Sequence, residues 1–125
     1  TTAESLVEKM KRGDNGVFDY KAEPVMHRLM NATSFGPYAD KTTGKLQLCF
    51  LTNNDITGGN SGSPMFNGKG ELIGLAFDGN WDSLSSDLNF DNRLARCIGV
   101  DIRYVLYMID KWGHADHLIK EIGAK

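Results

Sequence analysis

Residues 59–64, Gly-Asn-Ser-Gly-Ser-Pro, constrain the fold of this chain more than any other segment. The glycines on either side of Ser61 permit a tight turn, because glycine adopts backbone conformations that other residues avoid. A hairpin signal follows directly, since Asn67-Gly68-Lys69-Gly70 separates two apolar runs. The segment therefore predicts a serine that is presented at a turn between β-strands.

A serine in this setting can act as a nucleophile. Ser61 would supply the hydroxyl once a neighbouring imidazole takes its proton. The backbone N–H groups of Gly59 and Ser61 would converge as an oxyanion hole, and Gly62 would leave room for an acyl group. An ordinary Gly/Ser turn explains the same residue types. The strand–serine–helix elbow of α/β-hydrolases is disfavoured, because Pro64 and a hairpin follow the serine.

None of the three histidines has the placement expected of a base for this serine. His27 lies in an amphipathic pattern, which predicts a surface or half-buried position on a helix. His114 and His117 are three residues apart, a spacing that suits one face of a metal site, but no third ligand has a plausible spacing. We therefore expect no metal or other cofactor, and a catalytic base that lies outside this chain.

Length and composition exclude several classes of function. The 125 residues make at most one domain, with 41% hydrophobic and 24% charged residues as in ordinary globular proteins. A net charge of −2 gives no electrostatic case for binding nucleic acid, and no apolar run could span a bilayer. The chain opens without a signal peptide or an initiator Met, so we expect a processed or partial chain.

Two cysteines, Cys49 and Cys97, lie in apolar runs that are typical of strands. We favour two buried, reduced core residues, because unpaired cysteine is among the most buried residue types. A disulfide in an oxidising compartment is the alternative.

The character of the sequence changes near residue 44. The segment 1–44 favours helices, and the segment 45–125 favours short strands followed by terminal helices. The predicted helices are Ala3–Arg12, Glu23–Ala32 and a third that starts after Asp101 and ends near Gly113; the predicted strands are Leu46–Leu51, Pro64–Phe66, Glu71–Phe77 and Arg96–Val100. Residues 35–38 and 83–92 are predicted loops. Four strands are fewer than the six of a closed barrel, so part of the barrel would lie elsewhere.

Three stretches resemble the bacterial dipeptidyl peptidase 7 and 11 family, in the family's order and spacing. They are residues 51–64 around the serine, residues 74–81 (Gly-Leu-Ala-Phe-Asp-Gly-Asn-Trp) and residues 100–106 (Val-Asp-Ile-Arg-Tyr-Val-Leu). The resemblance spans roughly residues 45–112, and the N-terminal third matches more loosely. It implies a mostly β fold with flanking helices: the C-terminal barrel portion of a chymotrypsin-like double β-barrel, ending in a helix.

The same resemblance implies a serine exopeptidase that releases dipeptides from free peptide N-termini without a metal. Such enzymes are larger, periplasmic or on the cell surface, and often homodimers. Ser61 matches the nucleophile of the family, whose His and Asp precede the region covered here. We therefore expect this chain to need the rest of its parent chain as a partner and to be inactive alone.

Two further residues match positions that contact substrate in the family. Asp78 resembles the carboxylate that holds the α-ammonium group of the peptide. Gly79 matches the position that is glycine in the dipeptidyl peptidase 7 type and arginine in the 11 type, which places the chain closer to the former and implies an uncharged pocket. A turn aspartate followed by a turn glycine is the simpler explanation of both.

Two other functions remain open at this point. An inactive peptidase-like barrel that binds peptide termini would share the fold and lack the base. A glutamyl endopeptidase-like enzyme would share residues 59–64, although residues 78–81 favour the exopeptidase.

Overall fold

The computed structural model describes residues 1–85, 91 and 93–123. Two compact units are present: one combines Thr1–Leu48 with Arg103–Lys125, and the other is Cys49–Ile102. The division of the chain into domains 1–44 and 45–125 was inferred from the change in composition along the sequence, and it remains a prediction. No helix among the described residues is long and apolar enough to cross a membrane.

The unit Cys49–Ile102 is built on one antiparallel sheet. Its strands are β1 (Cys49–Thr52), β2 (Pro64–Phe66), β3 (Leu72–Gly79) and β4 (Cys97–Asp101), in the spatial order β1-β4-β3-β2. The predicted fold class, a strand-built segment with flanking helices, is confirmed. Four strands in one open sheet are consistent with part of a barrel.

One predicted strand begins three residues late. Residues 46–48 were expected to continue β1 towards the N-terminus, but they pair with the start of the chain. The N–H of Ala3 donates to Leu46 O at 3.0 Å, and the N–H of Leu48 donates to Thr1 O at 2.9 Å. Leu46 is fully buried there. Apolar character predicted an extended conformation for these residues, but it could not predict their partner.

The β2–β3 hairpin forms where the sequence predicts it. The Asn67 side chain stabilises the turn, since its Oδ1 accepts the N–H of Lys69 at 2.9 Å and of Glu71 at 3.1 Å. Gly70 has φ +78°, a left-handed conformation that favours glycine. The Asn67 side chain and the left-handed Gly70 therefore both favour this turn.

The buried face of the sheet is lined by small residues beneath one aromatic ring. Gly74 and Gly99 lie in neighbouring strands on this face, and Phe50 is the register partner of Gly99. An added Cβ would lie 2.7 Å from a Phe50 ring carbon at either glycine, and at Gly99 it would also lie 2.7 Å from Met65 Sδ. Glycine at both positions therefore lets Phe50 pack directly on the backbone.

Cys49 and Cys97 are not joined by a disulfide. Cys49 pairs with Val100, three residues along β4 from Cys97, so the two side chains point to opposite faces of the sheet. Cys97 is fully buried as predicted. Cys49 is only half-buried, which corrects the expectation that both lie in the core.

The other unit is helical and contains both ends of the chain. Its helices are α1 (Ala3–Asp14), α2 (Pro24–Met30), α3 (Ile102–Lys111, whose first residue belongs to the sheet unit) and α4 (Asp116–Glu121). Tyr107 lies at the centre: its hydroxyl donates to Leu29 O at 2.8 Å, and the rings of Phe35 and Tyr38 contact its ring edge-on. Burial, aided by the Asp110 carboxylate, raises the pKa of Tyr38 to about 12.

The ends of the helices follow the predicted signals with one correction. Pro24 is in the first turn of α2 as predicted, and α3 starts directly after Asp101. Gly113 follows α3, but the left-handed residue is His114, with φ 50°. The N–H of Ala115 closes this end by donating to Ile109 O at 3.1 Å. The predicted loop 35–38 contains a short 3-10 helix, Gly36–Tyr38.

We expect Gly99→Ala to lower the free energy of unfolding by about 1–3 kcal/mol, because the added methyl group would displace Phe50 and Met65. Gly68→Ala is the matched control, since an added Cβ there meets nothing within 4 Å, and it should change stability by less than about 0.5 kcal/mol. Denaturant unfolding of both variants measures the difference. Equal effects would show that Phe50 does not pack against Gly99.

Candidate active site

The turn that carries Ser61 is held by the side chain next to it. Asn60 Oδ1 accepts the N–H of Thr57 at 2.9 Å, while the Asn60 N–H donates to Thr57 O at 3.1 Å. The Asn60 carbonyl accepts the N–H of Ser63 at 2.9 Å. Gly59 and Gly62 have φ +95° and +85°. Both glycines are therefore required by the backbone, since other residues pay a steric penalty in this region.

The same turn is anchored on the central strand β3. The N–H of Gly62 donates to Ala76 O at 2.7 Å, and the N–H of Ala76 donates to Ser63 O at 2.8 Å. These bonds extend the β2–β3 ladder by one step beyond Pro64. The position of Ser61 is consequently fixed relative to β3.

Two backbone N–H groups beside Ser61 are not used in the hydrogen bonds of the turn. Within the part of the chain that the structure describes, no acceptor takes the N–H of Gly59 or the N–H of Ser61. Both residues are exposed, so water satisfies these groups in the free protein. An oxyanion hole is built from such unpaired N–H groups where they converge on one point.

A β-bulge shapes the strand beside the serine. Ala76 pairs with Gly99 and Asp78 pairs with Ile98, so Phe77 is the extra residue. In a regular strand successive side chains point to opposite faces. With the bulge, Phe77 and Asp78 both become exposed and line the same cleft.

Ser61 opens onto a cleft of about 190 Å³. The described residues that line it are Ile56, Thr57, Gly58, Ser61, Phe77, Asp78, Gly79 and Ser83. Asp78 is the one ionisable residue among these eight, and its Oδ1 accepts the N–H of Gly79 at 2.8 Å. The wall is therefore part apolar and part polar, with a single carboxylate, an arrangement suited to a cationic group next to an apolar one.

The structure brings together three of the predicted site residues and places the histidines in the other unit. Ser61, Asp78 and Gly79 share the cleft, and Gly59 lies in the adjoining turn. His27 is half-buried on α2 as predicted, with Nε2 3.4 Å from Asp14 Oδ1. Among residues 1–85, 91 and 93–123, no group of three or more His, Cys, Asp or Glu side chains is arranged to hold a metal ion.

Several cleft residues were missed by the sequence analysis. Ile56, Thr57 and Gly58 precede the serine turn and were considered only as part of the matching stretch. Ser83 fell in the predicted loop 83–92, of which residues 86–90 and 92 lie outside the described residues; residues 81–85 form a 3-10 helix. Phe77 directly precedes Asp78, and this adjacency was the only sequence signal that could have placed Phe77 in the cleft.

Comparison with known proteins decides the family. The profile described as Peptidase S46 matches residues 1–124. The chain belongs to the peptidase S46 family. Its structure superposes on the substrate complex of Porphyromonas endodontalis DPP11 with a TM-score of 0.89 and 38% identity, over 98% of this chain and 17% of that one. The dipeptide Arg-Glu complex of the same protein gives a TM-score of 0.88.

Relatives in the S46 family carry two different names. Over 98% of its length, this chain is 57% identical to a Dipeptidyl-peptidase 7 from Phocaeicola vulgatus and 52% identical to one from Porphyromonas endodontalis. It is 44% identical to an Asp/Glu-specific dipeptidyl-peptidase from Capnocytophaga gingivalis over the same share. The chain spans only 14–17% of the length of these three proteins.

We expect Asn60→Ala to loosen the serine turn of this S46 chain, because Thr57 loses its side-chain acceptor. Hydrogen exchange at the Thr57 amide should accelerate about threefold to tenfold, the equivalent of one net hydrogen bond of about 1 kcal/mol. Asn60→Asp keeps an acceptor oxygen at this position, so it is the matched control and should leave the rate near that of the native chain. If Asn60→Ala and Asn60→Asp exchange alike, the Asn60 side chain does not hold the turn.

Proposed function

We propose that this chain is the catalytic segment of a serine-type dipeptidyl peptidase that releases dipeptides from free peptide N-termini. One observation carries the proposal: Ser61, Asp78 and Gly79 line one cleft. These residues would supply a nucleophile, an anion for a terminal amine and an uncharged pocket, which are three elements of such an enzyme. The S46 relatives named as dipeptidyl peptidases support this function over a peptide-binding barrel or a glutamyl endopeptidase.

Ser61 acts in this proposal as the nucleophile of a chymotrypsin-like mechanism. Its hydroxyl oxygen attacks the carbonyl carbon of the second peptide bond, and a histidine from the parent chain takes the proton. Negative charge then develops on the carbonyl oxygen. The unpaired N–H groups of Gly59 and Ser61 are suited to stabilise that charge. The histidine returns its proton to the leaving amine, and water completes the cycle.

Asp78 explains why the enzyme would act at chain ends. A free N-terminus carries a positive charge, and the Asp78 carboxylate has an oxygen that no described residue binds. An ion pair in the cleft would position the second peptide bond at Ser61 and would reject interior segments, which lack the charge. Gly79 adds neither charge nor bulk, which favours an apolar side chain at the second position of the substrate.

The remaining parts of the triad would come from a longer parent chain. Large apolar side chains are exposed in the sheet unit, including Leu51, Phe66 and Trp81, and we propose that other parts of that chain cover them. The family resemblance also motivates a periplasmic or cell-surface location and a homodimer. Cell fractionation and light scattering of the full-length protein would test these two points.

We expect Ser61→Ala in the full-length protein to abolish release of dipeptides from chromogenic substrates, with loss of at least about 10³ in kcat. Ser63→Ala is the matched control, because Ser63 lies in the same turn but outside the cleft lining, and it should retain activity. A serine-directed phosphonate should label the native protein at Ser61. Substantial turnover by Ser61→Ala would refute the nucleophile assignment.

We expect Asp78→Asn to lower kcat/KM about tenfold or more for substrates with a free N-terminus, since a charge-assisted hydrogen bond contributes roughly 1.5–3 kcal/mol. Asparagine keeps an acceptor for the Gly79 N–H, so this variant removes the charge alone. N-acetylated substrates serve as the control and should respond little. A similar loss with both substrate sets would mean that Asp78 has a structural role.

A further inference from the structure

Ser83 occupies the space that any side chain at residue 79 would need. A Cβ added to Gly79 would overlap Ser83 Oγ and would lie 3.1 Å from Ser83 Cβ. Rotation of the hydroxyl would relieve the first contact but not the second. Gly79 has no positive φ, so the backbone itself does not demand glycine here. A side chain at residue 79 would instead have to displace Ser83.

The Ser83 side chain is held in this position by Asn80. Its hydroxyl donates to Asn80 O at 2.6 Å, and its N–H donates to the same oxygen at 3.0 Å. Asn80 is itself bonded to residues further along the chain: its Oδ1 accepts the N–H of Arg96 at 2.8 Å, and its Nδ2 donates to Leu94 O at 2.9 Å. Ser83 therefore cannot withdraw from Gly79 without breaking bonds.

The hydrogen bond to Asn80 also determines the polarity that Ser83 shows to the cleft. A serine hydroxyl has one proton and two lone pairs. Because its proton is donated to Asn80 O, the Ser83 hydroxyl offers other groups only acceptor lone pairs, and Ser83 is one of the residues that line the cleft. An acceptor tolerates an apolar neighbour, favours an amide N–H and repels a carboxylate.

From these contacts we propose that Ser83 is a specificity-determining residue of the cleft. It requires glycine at residue 79, and its acceptor oxygen disfavours acidic side chains at the second position of the substrate. The proposal rests on the function proposed above and extends it, since exclusion of acidic substrates then depends on an acceptor as well as on the missing charge at Gly79.

The acceptor is tested in the full-length protein with dipeptidyl substrates that differ only in having Leu, Asn or Asp at the second position. Ser83→Ala removes the oxygen and keeps the Cβ. We expect the kcat/KM ratio of the Asp to the Asn substrate to rise about threefold to tenfold, the effect of one hydrogen bond. A purely structural role would change kcat/KM for all three substrates by one factor, and that result would overturn the proposal.

The overlap is tested by introducing Gly79→Ala into the native protein and into the Ser83→Gly variant. We expect a fall in kcat/KM for the Leu substrate of about tenfold in the first background and less than twofold in the second. Gly79→Arg should likewise favour the Asp substrate more strongly when Ser83→Gly accompanies it. Equal effects in the two backgrounds would overturn the proposal.

Unfolding temperatures of the same four proteins separate this inference from the proposed function. Gly79→Ala should lower the unfolding temperature in the native background and leave it nearly unchanged with Ser83→Gly, whether or not the protein is active. If no Ser61-dependent release of dipeptides is found, the proposed function fails, while the temperature difference still supports the overlap. Equal lowering in both backgrounds would refute the overlap itself.

Discussion

The register shift at Phe77 is the constraint on which the cleft depends. Strand β3 pairs regularly with β4 from Gly74 to Ala76, and its buried Gly74 leaves room for the Phe50 ring. If that alternation continued, Phe77 and Asp78 would point to opposite faces. The extra residue allows both to be exposed beside Ser61, while Gly79 returns to the ladder opposite Cys97. The eight residues of β3 thereby contribute both to the buried face of the sheet and to the wall of the cleft.

The cleft combines a rigid backbone turn at Ser61, the proposed nucleophile, with a single charge at Asp78, the proposed binding group for an amine. Two left-handed glycines and the Asn60 bonds fix the serine turn, so in the proposed mechanism its N–H groups would already be oriented when substrate arrives. Such preorganisation is the most effective form of electrostatic stabilisation, because no dipole has to turn during the reaction. The carboxylate of Asp78 stands alone among the described lining residues, so no neighbouring cation in the lining competes with an incoming amine.

Local signals in the sequence were sufficient for the turn, the hairpin and the helices. Residues 59–64, Asn67 and Pro24 act through their own backbone preferences, and each was placed correctly. Features that depend on distant partners were not predicted. The pairing of Leu46 with Ala3 and the bulge at Phe77 both follow from partners distant in sequence that no short window reveals.

The same distinction applies to the candidate site. Ser61 was found from the local pattern of residues 59–64, and Asp78 and Gly79 from a resemblance to a family. The structure brings the three residues to one cleft. Ser83 carried no local signal, because its place is set by Asn80, which is bonded to Leu94 and Arg96 across more than a dozen residues of chain. A residue such as Ser83, which restricts the space available to a neighbouring side chain, therefore has no recognisable sequence pattern.

The pairing of Cys49 with Val100 has a consequence for how the chain assembles. These partners are about fifty residues apart, whereas β2 and β3 are joined by a short turn. Closing the longer loop costs about 1–2 kcal/mol more conformational entropy than closing a hairpin, and β1 must wait until β4 has been synthesised. During translation the hairpin can therefore form first, and the edge of β1 stays open until the last strand arrives. A chaperone or a neighbouring nascent chain would meet that open edge before the finished sheet exists.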